Sequence, residues 1–446
     1  MKRNEKVSGL SEEIIRKISM TKNEPKWMLE FRLASLVIYE KMGLPKWGPD
    51  LSKLDLSKIA TYVAGEGEAK QSWGEVSEEK RAVFERLGIP KAEHEALAGV
   101  GAQYDSDVIY HNIRQIFSEQ GVIYENMDDA VKKYPEIVKP LFMQLLKNDE
   151  HKFAALHGAV WSGGSFVYVP KGIKVDMPLQ SYFWLNAPSA GQFEHTLIIL
   201  EEGAELHFIE GCSAPRYKSY SLHVGCVELF VGEGATLRYS TIENWPKNML
   251  NLNSKRALVE KNGTIEWISG TFGSDTTMLY PSSILKGDGA KSNFTGISVA
   301  GKNQNLDTGH KAIHLGKNTK STINSKSIVQ NGGITTYRSL IKIGKEASGA
   351  KSSTICESLI MDNDSRSDTI PENEVYNNSS DVGHEAKIGK ISEKAIFYLM
   401  SRGLDEVAAK DMIVRGFVLP IAKELPLEYA VEMNRLIDAE LVGAIG

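Results

Sequence analysis

Few residues in this chain have types and spacings that could do chemistry, and the thiols are the most specific. There are only three cysteines, Cys212, Cys226 and Cys356. They are odd in number, far apart and never in a CxxC pair, so neither a disulfide framework nor a zinc finger is encoded. Any thiol chemistry must use single cysteines gathered by the fold. Cys356 lies in STICESLIMD, and His384-Glu385 lies in GHEAKIG. Between them, Met361 to Asp381 is polar and nearly without apolar residues, which reads as an exposed loop. If that loop is an excursion, its ends return to one wall, and Cys356 could face His384 and Glu385 across strands about 4.8 Å apart. A thiolate, an imidazole and a carboxylate within that reach can hold iron, and soft sulfur favours iron–sulfur chemistry over calcium or magnesium. Simple burial is the commoner fate of a strand cysteine.

Cys212 sits in IEGCSAP, at a strand end before a proline turn, and is read as accessible; Cys226, inside HVGCVELF, is read as packing. Lys255-Arg256 follow NWPKNMLNLNS. A cation beside a thiol would matter, because a free Cys of pKa about 8.5 is only a few per cent ionised at neutral pH. The plain alternative for Lys255 is a solvated surface charge. Two decoys are set aside. GISVAGKN (296–303) resembles a P-loop through Lys302, but Asn303 stands where Ser or Thr should hold Mg²⁺ and no helix pattern follows, so ATP hydrolysis is rejected. His195, His207, His223, His310 and His314 are scattered through strand-like runs and read as satisfied core or surface residues.

The stretch that must position these residues runs from about Gly203 to Glu385 and repeats itself. Corners recur at Gly203, Gly234, Gly263, Gly289, Asn318 and Ala347, at intervals of 26 to 31 residues. Most are a Gly or Asn beside a charge, which accepts the positive φ of a tight corner, and short runs rich in Val, Ile, Thr and Tyr follow. These runs are too short for a helical repeat. The expectation is a mainly β protein built on a parallel β-helix at 156–388.

Residues 1–155 read as a mostly helical N-terminal domain. Trp27, Phe31, Ala34 and Ile38 share a helical face, and Ser77 caps SEEKRAVFERLG. Polar linker fills Leu44 to about Trp73, and more helix runs from about Asp128 to Leu156. Residues 389–446 read as a small helical C-terminal domain. Its helices start at Ser392, cover about Asp405 to Val414, and resume in LEYAVEMNRLIDAELVG after Pro420 and Pro426. Their apolar faces need a partner. The net charge of -5 argues against nucleic acid or an anionic membrane as partner. No apolar leader or run of about 18 apolar residues occurs, so the expected location is cytoplasmic.

Long motifs in order give the chain a resemblance: EPKWMLEFRL, GGSFVYVPKGIKV, GQFEHTLII, EGCSAP, YSTIENW, GKNTKSTINSKSI, DTIPENE, HEAKIGKISEKAIFYLMSRG and ELPLEYAVEMNRL. The chain resembles the SufB/SufD family, and within it SufB, the scaffold subunit of the SUF iron–sulfur cluster assembly machine. The resemblance implies a right-handed parallel β-helix between two helical domains. It also implies a non-catalytic scaffold with a transient iron–sulfur cluster. Sulfur from a cysteine desulfurase or sulfur-transfer protein would reach Cys212, pass through the interior past Asn186, Trp245 and Lys255, and build a cluster at Cys356. There Glu385 is the ligand usually assigned, and His384 matches the position used by SufD. Implied partners are the ABC-type ATPase SufC on the C-terminal helices, SufD or a second copy of this chain, and recipient apo-proteins. Reduced FAD accompanies the family's complex, although the sequence carries no flavin fingerprint.

Three positions depart from the family pattern. Trp184 replaces an Arg, Glu243 a Gln and Gly383 the first Glu of EHEA. Glu243 puts a negative charge on the sulfur path, which would disfavour a persulfide anion unless paired, with Lys255 the candidate. One alternative is a SufD-like structural subunit without its own cluster, which would need neither Cys212 nor Cys356. Another is a β-helix polysaccharide lyase, which needs a secretory signal and clustered carboxylates for Ca²⁺ that the sequence does not show.

Overall fold

A computed structural model describes residues 5–65, 69–423 and 436. From Ser165 to Lys390 the chain winds into a parallel β-helix of about 8 turns. One wall stacks Lys174–Trp184, Glu205–Ser213, Thr236–Trp245, Thr264–Gly273, Lys291–Ala300, Lys320–Val329, Lys351–Ile360 and Asp381–Lys390, each strand parallel to the next. The facing wall runs from Ser165–Val169 through His195–Leu200, Cys226–Val231, Met249–Val259, the pair Thr276–Leu279 and Ser282–Leu285, Asn305–His314 and Ile334–Ile343 to Arg366–Val375.

The corners hold the turns in register. Gly203, Gly234, Asn262, Gly289, Asn318 and Gly349 have φ between 55° and 72°. The first five stack: Gly203 donates its N–H to Glu233, Gly234 to Lys261, Asn262 to Asp288, Gly289 to Lys317 and Asn318 to Ser348, at 2.7–2.9 Å. Two corners differ from expectation. The left-handed residue is Asn262 rather than Gly263, and Gly349 rather than Ala347, whose methyl is fully buried. A β-carbon is disfavoured in that region, so the last of these corners falls on Gly349 and not Ala347, while Asn is among the few other residues that tolerate it and takes it at 262.

Inward positions alternate along each wall strand, and their chemistry changes from one end to the other. Leu206 and Phe208, Leu237 and Tyr239, and Ile265 and Trp267 fill the interior at the strand starts. Later inward positions are polar or small, among them Glu210 and Cys212, Thr241 and Glu243, and Ser269 and Thr271. Burying each large apolar side chain is worth roughly 1.5–3 kcal/mol, so the first half supplies the stability that lets the second stay polar.

The N-terminal region is built mainly of helices, but it also contributes strands. Helices Lys26–Lys41 and Lys152–Val160 pack together, but Gly99–Tyr104 and Asp107–Ile113 form a hairpin that joins the first wall, and Ile123–Asn126 joins the second. Period-two alternation in GVGAQYDSDVIYHNI, with Asp105 at φ 58°, carries that hairpin. Ser77 precedes helix Glu78–Arg86 without a side-chain cap bond. The stretch 361–381 is not a loop either. Arg366–Val375 pairs residue by residue with Ile334–Ile343, and Asp381–Lys390 forms a further strand beyond Cys356. Among the described residues these strands are the last of their sheets, so they need few apolar residues.

Ser392 Oγ caps helix Glu393–Ser401 through Ala395 N at 3.2 Å. The next helix, Glu406–Ala422, runs through Pro420 instead of ending near Val414. Val414, Val418 and Ile421 continue one stripe onto Ile242, Ile268 and Ile297 of the β-helix, and this packing carries the helix past the proline. The helix expected in LEYAVEMNRLIDAELVG lies outside the described residues apart from Leu436. Among the described residues no helix is long and apolar enough to cross a membrane.

Candidate functional site

Cys212 is inside the β-helix, 1% exposed, and not accessible as its place before a proline turn suggests. Phe183, Leu185, Trp245 and Met249 pack in the same cluster. The side chains around it form a buried charged network. Lys255 Nζ lies 3.0 Å from Glu210 and 3.3 Å from Glu243. Glu210 also accepts from Tyr239 Oη at 2.5 Å, and Glu243 accepts from Asn251 at 2.6 Å and Asn253 at 3.0 Å. His223 Nδ1 meets Asn251 Oδ1 at 2.8 Å, and its Nε2 meets Glu194 Oε1 at 2.5 Å. Lys255 is therefore a buried partner of two carboxylates, and the pairing invoked for Glu243 is present.

Electrostatics follow from burial and these partners. Burial pushes the Cys212 thiol well above its ordinary range, and Glu210, Glu194 and Glu243 add to the shift against the opposing Lys255. Burial alone would raise Glu243, but Lys255, His223 and the two amides hold it below the usual carboxylate range. Burial alone would lower Lys255 and His223, yet Glu210 and Glu243 raise the first and Glu194 raises the second. Cys212 therefore rests as a neutral thiol among fixed charges.

The remaining path residues sit beside this chamber. Asn186 donates its N–H to Asp105 Oδ1 at 2.7 Å, and the Trp184 indole donates to Asn186 Oδ1 at 3.4 Å. Trp245 lies against His223 with ring centroids 4.5 Å apart, and its Nε1 is buried without a hydrogen-bond partner.

Strand register ties this chamber to Cys356. Glu210 pairs in sequence with Thr241, Ser269, Gly296, Ser325 and Cys356. The neighbouring inward column runs Cys212, Glu243, Thr271, Ser298, Ser327, Ser358. Five strand spacings of about 4.8 Å separate the two cysteines along the axis, or ~24 Å. Beyond Glu243 the columns between them hold only Thr, Ser and Gly, and a cavity of about 10 Å³ opens among Ser269, Thr271, Gly296, Ser298, Ser325 and Tyr337.

Cys356 is the last buried member of the column before Ala386 on the edge strand, 2% exposed, and burial pushes its thiol up to about 12. Thr354 pairs with His384, Ile355 with Glu385 and Cys356 with Ala386. Alternation places His384 on the inward face with Cys356 and turns Glu385 outward. Glu385 is 57% exposed and pairs with Lys387 at 3.1 Å. The structure thus brings His384 to the Cys356 side and leaves Glu385 on the other. Buried atoms without partners gather in these last turns: Tyr337 Oη, Ser339 Oγ, Thr354 Oγ1, Thr369 Oγ1 and His384 Nε2. Burial also lowers the His384 pKa, which favours the neutral ring that can ligate metal.

Cys226 is buried packing beside His157 and His195. The P-loop-like segment is a wall strand, Lys291–Ala300, followed by a turn. Sequence reasoning missed Glu194, Glu210, His223 and Asn251. Their signal was parity, because Glu210 lies two residues before Cys212 and so on the same face.

The fold is thus a parallel β-helical solenoid whose interior carries Cys212 and Cys356, joined by a polar column. Residues 183–417 match the SUF system FeS cluster assembly, SufBD core domain, and residues 89–181 match the SufBD protein N-terminal region. The chain is 52% identical over 438 residues to an iron-sulfur cluster assembly SufBD family protein of Staphylococcus aureus (strain MRSA252), covering 98% of this chain and 94% of that one. It is 51% identical over 438 residues, with the same coverage of 98% and 94%, to the iron-sulfur cluster assembly protein SufB of Bacillus subtilis (strain 168). The chain belongs to the SufB/SufD family of iron–sulfur cluster assembly proteins.

Proposed function

We propose that the chain is a non-catalytic scaffold that builds an iron–sulfur cluster and passes it to apo-proteins. Sulfur is accepted at Cys212: its thiol gives up its proton as Sγ attacks the outer sulfur of a donor persulfide, the donor S–S bond breaks, and the donor sulfur leaves with that proton as a thiol. A cysteine desulfurase or sulfur-transfer protein is the donor. The cluster forms at Cys356, with His384 on the same face and Glu385 available from the outer face of the edge strand. The observation that carries this reading is the shared interior: both cysteines face it, and beyond Glu243 the columns between them are lined by Thr, Ser and Gly. Ligation by one thiolate and nitrogen or oxygen donors suits a cluster that must leave.

The partners follow from unpaired surfaces. Phe397, Tyr398, Val407, Met412 and Leu419 are exposed on the C-terminal helices, where an ABC-type ATPase, SufC, docks. Asp381–Lys390 and Arg366–Val375 end their sheets with a free edge among the described residues, which SufD or a second copy would extend. Deleting Ser392 to Gly446 should abolish SufC binding.

The deciding experiment is anaerobic reconstitution with ferrous iron and sulfide, read by absorbance and Mössbauer spectra. Wild type, Cys356→Ser, His384→Ala, Glu385→Ala and Cys212→Ser are compared. A cluster lost with Cys356 but kept without Cys212 supports the scaffold and separates assembly from sulfur delivery. No cluster in wild type, with SufC and the partner subunit present, would leave a structural-subunit role instead.

A further inference from the structure

Two groups beside Cys212 are not used by the sulfur chemistry, Glu194 and His223. Cys212 Sγ, a Glu194 carboxylate oxygen and a His223 ring nitrogen all lie within 4.8 Å of one another. None of the three residues is more than 2% exposed.

The surrounding hydrogen bonds leave ligand atoms free. Asn251 donates from Nδ2 to Glu243, so its Oδ1 is the acceptor that meets His223 Nδ1. That fixes a proton on Nδ1 and turns Nε2 toward Glu194, the arrangement that orients a metal-ligating histidine. Glu194 Oε1 contacts Nε2, while its Oε2 is buried with no hydrogen-bond partner. An unsatisfied buried carboxylate oxygen is costly unless something fills the space before it.

A second trio, His157, His195 and Cys226, also places its ligand atoms within 4.8 Å. There His157 Nδ1 is bonded to Val224 O at 2.9 Å and its Nε2 to His195 Nδ1 at 3.0 Å. Two of those nitrogens face each other, and the remaining His195 Nε2 lies 3.3 Å from Glu228 outside the trio, so this trio reads as structural.

We propose that Glu194, Cys212 and His223 bind a single thiophilic divalent cation, Zn²⁺, Co²⁺ or Fe²⁺, inside the β-helix. Thiolate, imidazole and carboxylate together suit these ions rather than Mg²⁺ or Ca²⁺. Bonds of about 2.0–2.3 Å to one ion make Glu194 Oε1 and His223 Nε2 part from their 2.5 Å contact to admit it, and leave a fourth position open. Charge balance also favours the exchange. The ion replaces the Cys212 thiol proton and the His223 Nε2 proton, two positive charges for two, so the net charge of the buried chamber is unchanged. Since the ion and a persulfide both occupy Sγ of Cys212, the two states exclude each other.

To test this, full-length protein is produced in cells grown with cobalt or with zinc, so that the ion can enter before the interior closes. Ion content and the near-ultraviolet thiolate-to-cobalt band are then read. One ion per chain is expected, with the band absent in Cys212→Ser and retained in Cys226→Ser and Cys356→Ser. Glu194→Gln and His223→Gln should each weaken retention against a chelator at least tenfold. Should His223→Gln fail to fold, Glu194→Gln, which keeps the side-chain shape, carries the comparison. A wild-type chain without ion or band, or a band that survives Cys212→Ser, overturns the site. Mass gain at Cys212 from polysulfide, measured on the same preparations after chelation, tests sulfur acceptance separately. Sulfur uptake by a chain that never binds the ion overturns the metal site and leaves the scaffold reading standing.

Discussion

Lys255 and Glu243 close a salt bridge of 3.3 Å through the middle of the β-helix, from one wall to the other, with both side chains at most 1% exposed. Glu210 completes the arrangement on the same lysine at 3.0 Å. This family's resemblance places a Gln at position 243. The carboxylate found there is offset by Lys255 and by the amides of Asn251 and Asn253, so the interior is not left with a bare anion.

Removing one member should be severe. Glu243→Ala leaves Lys255 with a single carboxylate and two amides without their acceptor, in a site closed to water. A loss of about 3–5 kcal/mol is expected, the range for breaking a buried pair. Lys255→Met, which removes the charge and keeps the volume, should have a smaller effect when combined with Glu243→Gln than the two single changes sum to. Urea denaturation of the four proteins in a double-mutant cycle checks this, and additive losses would mean that the pair is not coupled.

The same pair predicts acid behaviour. Glu243 titrates below its unfolded value, because Lys255 and its other partners outweigh burial. A group depressed on folding stabilises fully above its unfolded pKa of about 4.3, and that share is lost as pH falls through the folded value. Wild type should therefore lose stability steeply below about pH 4, while Glu243→Gln, weaker at pH 7, should show a flatter acid limb. Urea midpoints measured from pH 7 down to pH 3 would decide the matter; parallel curves would exclude Glu243 as the source.

Much of this could be read from the sequence because a solenoid repeats its local rules. The corners announced the β-helix, since each turn needs a residue that tolerates positive φ. Helices Lys26–Lys41 and Glu393–Ser401 followed from caps and spacing. What failed was reading that depended on neighbours. Arg366–Val375 looked like a loop because strand character was sought in apolar content, whereas a terminal turn is held by its backbone ladder. Cys212 looked accessible because its turn was legible but the packing of Trp245 and Phe183 over it was not. His223 looked solitary because Glu194 and Asn251, 29 and 28 residues away, meet it only once the turns stack.

The corner ladder gives a local test of the fold. Gly234 has φ 63° and open space where a β-carbon would sit, so substitution there meets backbone strain and no clash. Gly234→Ala should cost about 1–2 kcal/mol, and Gly234→Asn less, since Asn tolerates this region and already serves at 262 and 318. Thermal denaturation of both variants checks the order. Equal losses would show that the corner is not set by its φ.

At the open end the geometry separates two neighbouring residues. His384 shares the inward face with Cys356, and its Nε2 is buried without a partner, while Glu385 points outward to Lys387. In the isolated chain His384→Ala should therefore lower the yield of reconstituted cluster severalfold, and Glu385→Ala should leave most of it. Fold stability should barely change in Glu385→Ala, because an exposed pair is worth about 0–1 kcal/mol. Cys356→Ser should abolish the cluster while keeping the melting temperature near wild type, as the replacement is close in size. Mössbauer area per chain measures the first effect and calorimetry the second. A cluster that tolerates His384→Ala but not Glu385→Ala would mean that the edge strand turns over when iron binds, presenting its outer face to Cys356.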